Sequence, residues 1–151
     1  MAKIVGIAIK TATRAEMELK DNCWVTYLDG IIGDHQGSRT AGSESSKRQV
    51  TVLSEEQWDA TCVELGIKIP WHARRAQLCV SGMIFGPADV GRYLIVNGTA
   101  LLEITGETTP CERMDEIFPG LRAALAKDWR GGVTCRVIES KLIRVGDIVV
   151  F

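Results

Sequence analysis

The chain has 151 residues, of which 46% are hydrophobic and 25% charged, with a formal net charge of −1. That mixture excludes a disordered or fibrous protein. A near-neutral balance also excludes the broad positive field that gathers nucleic acid or an anionic membrane, so any anionic ligand must be held by a local cluster of arginines. No apolar run approaches the ~20 residues of a bilayer span. The length falls in the range of one domain, and residues 1–151 are read as a single one.

The opening MAKIVGIAIK sets a lysine on each side of a short apolar stretch and lacks the long apolar core and cleavage site of a secretory signal, so it reads as the first strand. CWVTYL, rich in β-branched and aromatic residues, reads as another. The stretch from Gly33 to Lys47, crowded with Gly, Ser and polar residues, reads as a long loop, and loops of that length inside compact domains are usually functional or mobile. QVTVL is the next strand, and Ser54 opens a helix. Ser54 and Gln57 have capping-box spacing, while Glu55 and Glu56 suit the positive end of the helix dipole. Trp58, Cys62 and Leu65 share one face of that helix, and Gly66 is a natural stop.

AQLCVSGM reads as a buried strand. RYLIV and TALLEIT, joined by Asn97-Gly98, form the strongest hairpin signal in the chain, because Asn-Gly suits the positive φ angles of a type I′ turn. VTCRVIES and a closing IVVF lie beside turns at Gly131-Gly132 and Val145-Gly146-Asp147. At least seven short strands with two convincing helices predict a mainly β protein, a closed or nearly closed β-barrel with helical insertions.

The five cysteines, Cys23, Cys62, Cys79, Cys111 and Cys135, are odd in number, scattered and free of any C-x-x-C pair. They form neither a disulfide framework nor a zinc site. Free thiols in such number fit a reducing compartment, and a cytoplasmic location is expected. Cys62, Cys79 and Cys135 fall in a helix face or in strands and read as core. Cys111 does not.

The segment from Gly106 to Lys127 leaves a strand at Ile104 and enters helical territory. Thr109-Pro110-Cys111-Glu112 has a capping residue, a proline suited to the first helical position and a glutamate three residues on. Cys111 is then expected as the second residue of a helix, where unpaired N–H groups favour thiolate over thiol. Arg113 would help and Glu112, Asp115 and Glu116 would oppose. Thiolate is the form that attacks sulfur, carries a persulfide or ligates a soft metal. The bland reading is a small residue that fits a helix start.

A set of short motifs runs in order along the chain: Gly33-Asp34-His35, Arg48-Gln49-Val50-Thr51, Val80-Ser81-Gly82 and Gly91-Arg92. They continue through Glu103-Ile104-Thr105-Gly106-Glu107, Thr109-Pro110-Cys111-Glu112-Arg113-Met114-Asp115, Arg130-Gly131-Gly132-Val133 and Val145-Gly146-Asp147. In these the chain resembles the MOSC-domain family, named for the C-terminal domain of molybdenum cofactor sulfurases. The resemblance implies a β-barrel that handles sulfur or molybdenum. Cys111 then either accepts sulfur from a pyridoxal-phosphate-dependent cysteine desulfurase, the pyridoxal phosphate sitting on that partner, or ligates molybdenum in a bound pterin cofactor. The second role belongs to enzymes that reduce N-hydroxylated compounds, and it requires a separate redox partner here, since no flavin or iron–sulfur motif is present. Two departures stand out: Arg74-Arg75-Ala76-Gln77 where the family often has asparagine after a basic pair, and Arg130 where it often has histidine.

Arg48, Arg74, Arg75, Arg92, Arg113 and Arg130 are candidates for gripping a pterin's phosphate, because guanidinium forks match phosphate oxygens. Arg48 and Arg75 are the preferred pair; for any one of the six the bland alternative is a solvated surface charge. His35, beside Asp34, is a candidate acid, base or ligand. Asp34 and Thr109 lie inside the matching motifs and join the candidate contacts. Gly132, with Gly131, could let backbone approach a ligand, although a tight turn needs glycine anyway. Asp115 and Glu116 read as first-turn acids rather than a proton relay. Three readings therefore stand: a molybdenum-cofactor-binding or sulfurating domain, a persulfide sulfur carrier, and a non-catalytic ligand-binding barrel.

Overall fold

A computed structural model describes residues 1–35 and 47–151. The segment 36–46, the greater part of the expected loop, lies outside the described residues. The protein is mainly β, with a mixed sheet and few helices. Its strands are β1 (Lys3–Ile9), β2 (Glu18–Lys20), β3 (Asn22–Thr26), β4 (Gly30–Ile31), β5 (Val50–Ser54), β6 (Leu78–Ser81), β7 (Tyr93–Val96), β8 (Thr99–Glu107), β9 (Val133–Val137), β10 (Lys141–Arg144) and β11 (Val149–Val150). Three α-helices are described: α1 (Glu55–Leu65), α2 (Arg113–Ile117) and α3 (Leu121–Leu125).

The main sheet has the order β11-β7-β8-β9-β5-β6-β1-β2, and a smaller one has the order β10-β3-β4. All named pairings are antiparallel except β5 with β6. A parallel pair needs a long crossover, and α1 with the 3-10 turn Trp71–Arg74 supplies it. The β11 edge is tied to the start of β1: Val149 N–H donates to Ala2 O at 3.0 Å and Ile4 N–H to Asp147 O at 2.9 Å. Lys3 and Ile148 add an isolated antiparallel bridge.

Local sequence explains the best-defined elements. Asn97 at φ 46° and Gly98 at φ 82° make the β7–β8 turn, as the Asn-Gly pair requires. Ser54 Oγ accepts from Gln57 N–H at 3.3 Å, and Gly66 ends α1 at φ 66°. The reciprocal half of the capping box is absent, because the Gln57 amide instead bonds Phe85 O, Phe85 N–H and Asp128 O, fastening two loops onto α1.

Two apolar clusters divide the interior. One fills the inside of the sheets, with Ile4, Ile7, Val52, Val80, Leu101, Ile104 and Cys135 among its members. The other packs Leu53, Trp58, Cys62, Ala76, Met114, Leu121 and Leu125 beneath the helices. Cys62, Cys79 and Cys135 are buried as expected, and so is Cys23. Among the described residues no helix is long and apolar enough to cross a membrane.

The stretch after β8 departs from its sequence reading. The strand runs on past Ile104 to Glu107, and α2 begins only at Arg113, so Cys111 is not a helical residue. The reason is tertiary. Thr108 N–H donates to Gly132 O at 2.9 Å and its carbonyl accepts from Arg74, which holds the chain extended until Met114 N–H can turn back to Cys111 O at 3.0 Å. The helical territory up to Lys127 holds two short helices, α2 and α3. Phe118, before a proline, is extended at φ −156°, ψ 128°, and Gly120 follows at φ 94°.

Candidate functional site

Three strand ends meet where Cys111 lies. Because β5 and β6 are parallel neighbours in register at Val52↔Leu78, the residues just before each strand, Arg48 and Arg74-Arg75, arrive at one end of the sheet. β1 is antiparallel to β6 with Ile7↔Leu78, so its outgoing residue Lys10 arrives there too. The segment after β8 folds across this end. The resulting cleft, of about 110 Å³, is lined by Lys10, Arg48, Arg74, Arg75 and Arg113 together with Thr51, Ala76, Gln77, Thr108, Cys111 and Met114. Cys111 is the one exposed cysteine of the chain.

Arg74 is the pin of this site. Only 7% exposed, it donates from Nε to Gly131 O at 3.1 Å and from Nη2 to Thr108 O at 3.0 Å, and Nη1 lies 3.9 Å from Met114 Sδ. Burial lowers its guanidinium to about 10 from 12.5, with Arg48 nearby adding to the effect, while a negative charge at Cys111 pulls the other way. Arg75 follows at φ 70°, a left-handed conformation costly for a residue with a Cβ, which turns the chain from the 3-10 turn into β6. Its Nη2 donates to Ala15 O at 2.5 Å. Burial lowers Arg75 as well, then repulsion from Arg113 and Arg14, with Asp34 opposing. Cations that repel one another around a cleft favour an anion within it.

Two further observations point the same way. Among the described residues, three buried side-chain atoms lack a hydrogen-bond partner, and two of them, Arg75 Nε and Thr108 Oγ1, belong to residues of this cleft. A donor buried without a partner costs about 1–3 kcal/mol, which an anionic acceptor would recover. A second hollow of about 300 Å³ adjoins through the shared residues Arg75, Arg113 and Met114, with Ala73, Glu116 and Ile117 completing it. Together the two fall at the lower end of the ~300–1,000 Å³ of cofactor sites.

The structure thus gathers Cys111, Arg48, Arg74, Arg75 and Arg113 in one place and sets the other candidates elsewhere. Asp34 is buried one layer behind, accepting from Lys10 N–H at 2.9 Å and from Gln77 Nε2 at 3.3 Å. His35 bonds Thr13 through Nε2 at 2.9 Å and lines a separate hollow that includes Thr11, Ile32 and Asp34. Thr109 is exposed and faces a cavity on the far side of its loop, with Asp115 and Arg122. Gly132, at φ 96°, is needed for packing, since a Cβ there would lie 2.5 Å from Val52 O. Arg92 pairs with Asp89 at 3.0 Å and stacks over Phe151, and Arg130 pairs with Glu64 at 3.0 Å, so neither belongs to the cleft. Asp115 accepts from Gly120 and Arg122 N–H at 3.2 and 3.0 Å, fixing the α2–α3 turn. No group of three or more His, Cys, Asp and Glu side chains that could hold a metal ion occurs among the described residues.

Sequence reading missed Lys10, Thr51, Gln77, Thr108 and Met114. Gln77 was noticed only as a departure from the family pattern. In the structure its Oε1 accepts from both Thr51 N–H, at 2.8 Å, and Thr51 Oγ1, while its amide nitrogen holds Asp34.

A family model described as the MOSC domain matches residues 33–150. The chain belongs to the MOSC domain family. That family is associated with molybdenum cofactor sulfurases and, in general, with molybdenum cofactor binding. Among solved structures this MOSC chain is similar to the YuaD protein from Bacillus subtilis, with 22% identity and a TM-score of 0.71 over 99% of this chain and 94% of that one. It is also similar to YiiM from Geobacillus stearothermophilus, with 17% identity and a TM-score of 0.72 over 99% of this chain and 74% of that one. YiiM from Escherichia coli gives 14% identity and a TM-score of 0.63 over 99% and 70%. At these identities the likeness is one of fold. No curated protein sequence matches significantly.

Proposed function

We propose that this MOSC domain binds the anionic end of a molybdenum–pterin cofactor in the arginine cleft and presents Cys111 to it, as metal ligand or as sulfur donor. The observation that carries the reading is the exposed Cys111 thiol sharing a cleft with Arg48, Arg74, Arg75 and Arg113, where two buried donors await an acceptor. Arg75 and Arg48 would grip the phosphate, with Thr108 Oγ1 as a neutral donor beside them. Met114 and Ile117 give the adjoining hollow its apolar contact for the ring system. When bound, the cofactor supplies two-electron redox chemistry at molybdenum, suited to reducing N-hydroxylated compounds with electrons from a separate redox protein. The chain's own part is to hold the anion, supply a thiolate from Cys111 and keep the 108–111 segment in place through Arg74. The bonds tying 146–149 to Ala2–Ile4 support reading the sheet as a nearly closed barrel.

The test is molybdenum content of protein expressed in a cytoplasm that makes the cofactor, beside a Cys111→Ser control. Stoichiometric metal that disappears in the variant is the expected outcome. The variant should keep wild-type stability within about 0.5 kcal/mol, because Cys111 is exposed.

A second reading has its own observation. Cys111 lines the cleft of about 110 Å³ and not the larger hollow beside it, a setting suited to a small sulfur-bearing group. On that reading Cys111 carries persulfide sulfur delivered by a cysteine desulfurase, and metal would be absent while the persulfide is found on this residue.

A further inference from the structure

The cleft is matched in size and donors to something smaller than a cofactor. At about 110 Å³ it is smaller than the adjoining hollow of about 300 Å³ and leaves room for a tetrahedral oxyanion. Its least expected feature is Thr108. This residue is only 4% exposed and lines the cleft, its backbone N–H and C=O are both committed to Gly132 and Arg74, and its buried hydroxyl has no partner among the described residues. The Arg75 Nε in the same cleft is in the same condition. Arg74, fixed to Gly131 O and Thr108 O, adds positive charge without mobility. Asp34, the carboxylate felt by Arg75, is held back by Lys10 N–H and Gln77 and does not line this cleft. An exposed thiol at an immobile, oxyanion-sized cationic cleft is the arrangement needed to cleave a small sulfur oxyanion.

We propose that this site takes sulfur directly from a sulfane-sulfur oxyanion of the thiosulfate class, with Thr108 Oγ1 and Arg75 holding the sulfonate oxygens and Cys111 receiving the outer sulfur. This rests on the persulfide-carrier reading and names its small-molecule donor. In the step, the Cys111 thiolate attacks the outer sulfur. A new S–S bond forms at Cys111 Sγ as the S–S bond of thiosulfate breaks, and the bonding pair leaves with sulfite. The thiol proton has already gone to solvent, and no external oxidant or reductant is consumed. A second nucleophile, a thiol in the cell or cyanide in an assay, then takes the sulfur and restores the Cys111 thiolate.

The experiment uses the purified full chain with thiosulfate as donor and cyanide as acceptor, reading thiocyanate, and intact mass after thiosulfate alone. Turnover lost in Cys111→Ser, and a gain of one sulfur atom mapping to Cys111, are expected. Thr108→Val should raise KM for thiosulfate on the order of tenfold with kcat little changed, since it removes a single hydrogen bond to a charged ligand. Arg75→Gln should do so more strongly, and Arg75→Lys should recover part of the loss. A KM unchanged in both Thr108→Val and Arg75→Gln would overturn the subsite. Alkylation of Cys111 in the same preparation separates the two levels: a thiol that alkylates but gains no sulfur from thiosulfate overturns this proposal and leaves the carrier reading standing. A Cys111 that is inert to both overturns the two together.

Discussion

Alanine at Gly131 is expected to destabilise the protein by about 3–5 kcal/mol and to release the Cys111 segment. A Cβ at this position would lie 2.3 Å from the Thr108 carbonyl oxygen, 3.3 Å from Arg74 Nη2 and 3.5 Å from Pro110 Cδ. The nearest of these atoms is backbone, so no flexible side chain can swing away to relieve the clash. The 108–110 segment must move, and with it go the hydrogen bonds from Arg74 to Thr108 O and to Gly131 O. Gly146 supplies the contrast. At φ 100° it also favours glycine, but nothing lies within 4 Å of its added Cβ, so alanine there should cost only about 1 kcal/mol. Urea midpoints of the two variants measure the difference. Equal, small losses would mean that the close approach of Gly131 to Thr108 does not hold the loop.

A second large effect is expected at alkaline pH. Burial pushes the Cys23 thiol up to about 12 from 9.0, with Asp34 adding to it. Burial raises Cys79 and Cys135 as well, helped by Glu55 and Glu103 respectively. Above pH 9 the unfolded chain loses these protons while the folded chain keeps them. The folded state then binds more protons, and stability falls as pH rises; below pH 9 the three thiols contribute no slope. Each is worth about 1.4 kcal/mol per pH unit, so together they remove up to about 4 kcal/mol per unit. Urea unfolding at a series of pH values across this window should show the fall, and Cys23→Ala should flatten it by about one thiol's share. A flat profile above pH 9 would contradict the burial of these residues. The same burial explains why these thiols are unsuited to chemistry, and burial also raises Cys62, which leaves Cys111 as the accessible one.

How far the sequence could be read depended on the range of the interactions involved. The Asn97-Gly98 turn and the Ser54 cap were legible because each is decided within a few residues by backbone angles and a nearby donor. Strands β2 and β4 and strand β10 were not. The first two are only three and two residues long, and Lys141–Arg144 has too few apolar positions to stand out. Cys111 was singled out correctly as lying outside strand and core, yet for an incomplete reason. Thr109-Pro110-Cys111-Glu112 has a helix-start pattern, and local propensity lost to Arg74 and Gly132, which bind Thr108 from distant parts of the chain. The cationic surroundings of Cys111 are consequently arginines from three segments rather than a helix end.

The same long-range logic sorted the arginines. Nothing in the spacing of Arg48, Arg75 and Arg113 brings them together, and nothing in that of Arg92 and Arg130 keeps them away. The parallel pairing of β5 and β6 does the first, and the ion pairs with Asp89 and Glu64 do the second. Arg74 looked like one of six equivalent phosphate candidates. Its role as the buried pin between Gly131 and Thr108 required the fold. Gln77 likewise reads as a mere family departure until its bonds to Thr51 and Asp34 are seen.

The central claim is that Cys111 is the reactive thiol of an anion-binding cleft, and site-resolved alkylation of the folded protein tests it most directly. Labelling with iodoacetamide, followed by peptide mass analysis of all five cysteines, should modify Cys111 alone and leave Cys23, Cys62, Cys79 and Cys135 protected until urea is added. Inorganic phosphate should slow the labelling by occupying the arginines, and Arg75→Gln should weaken that protection. Labelling that spreads to the buried cysteines at a similar rate, or a Cys111 rate indifferent to phosphate, would contradict the account.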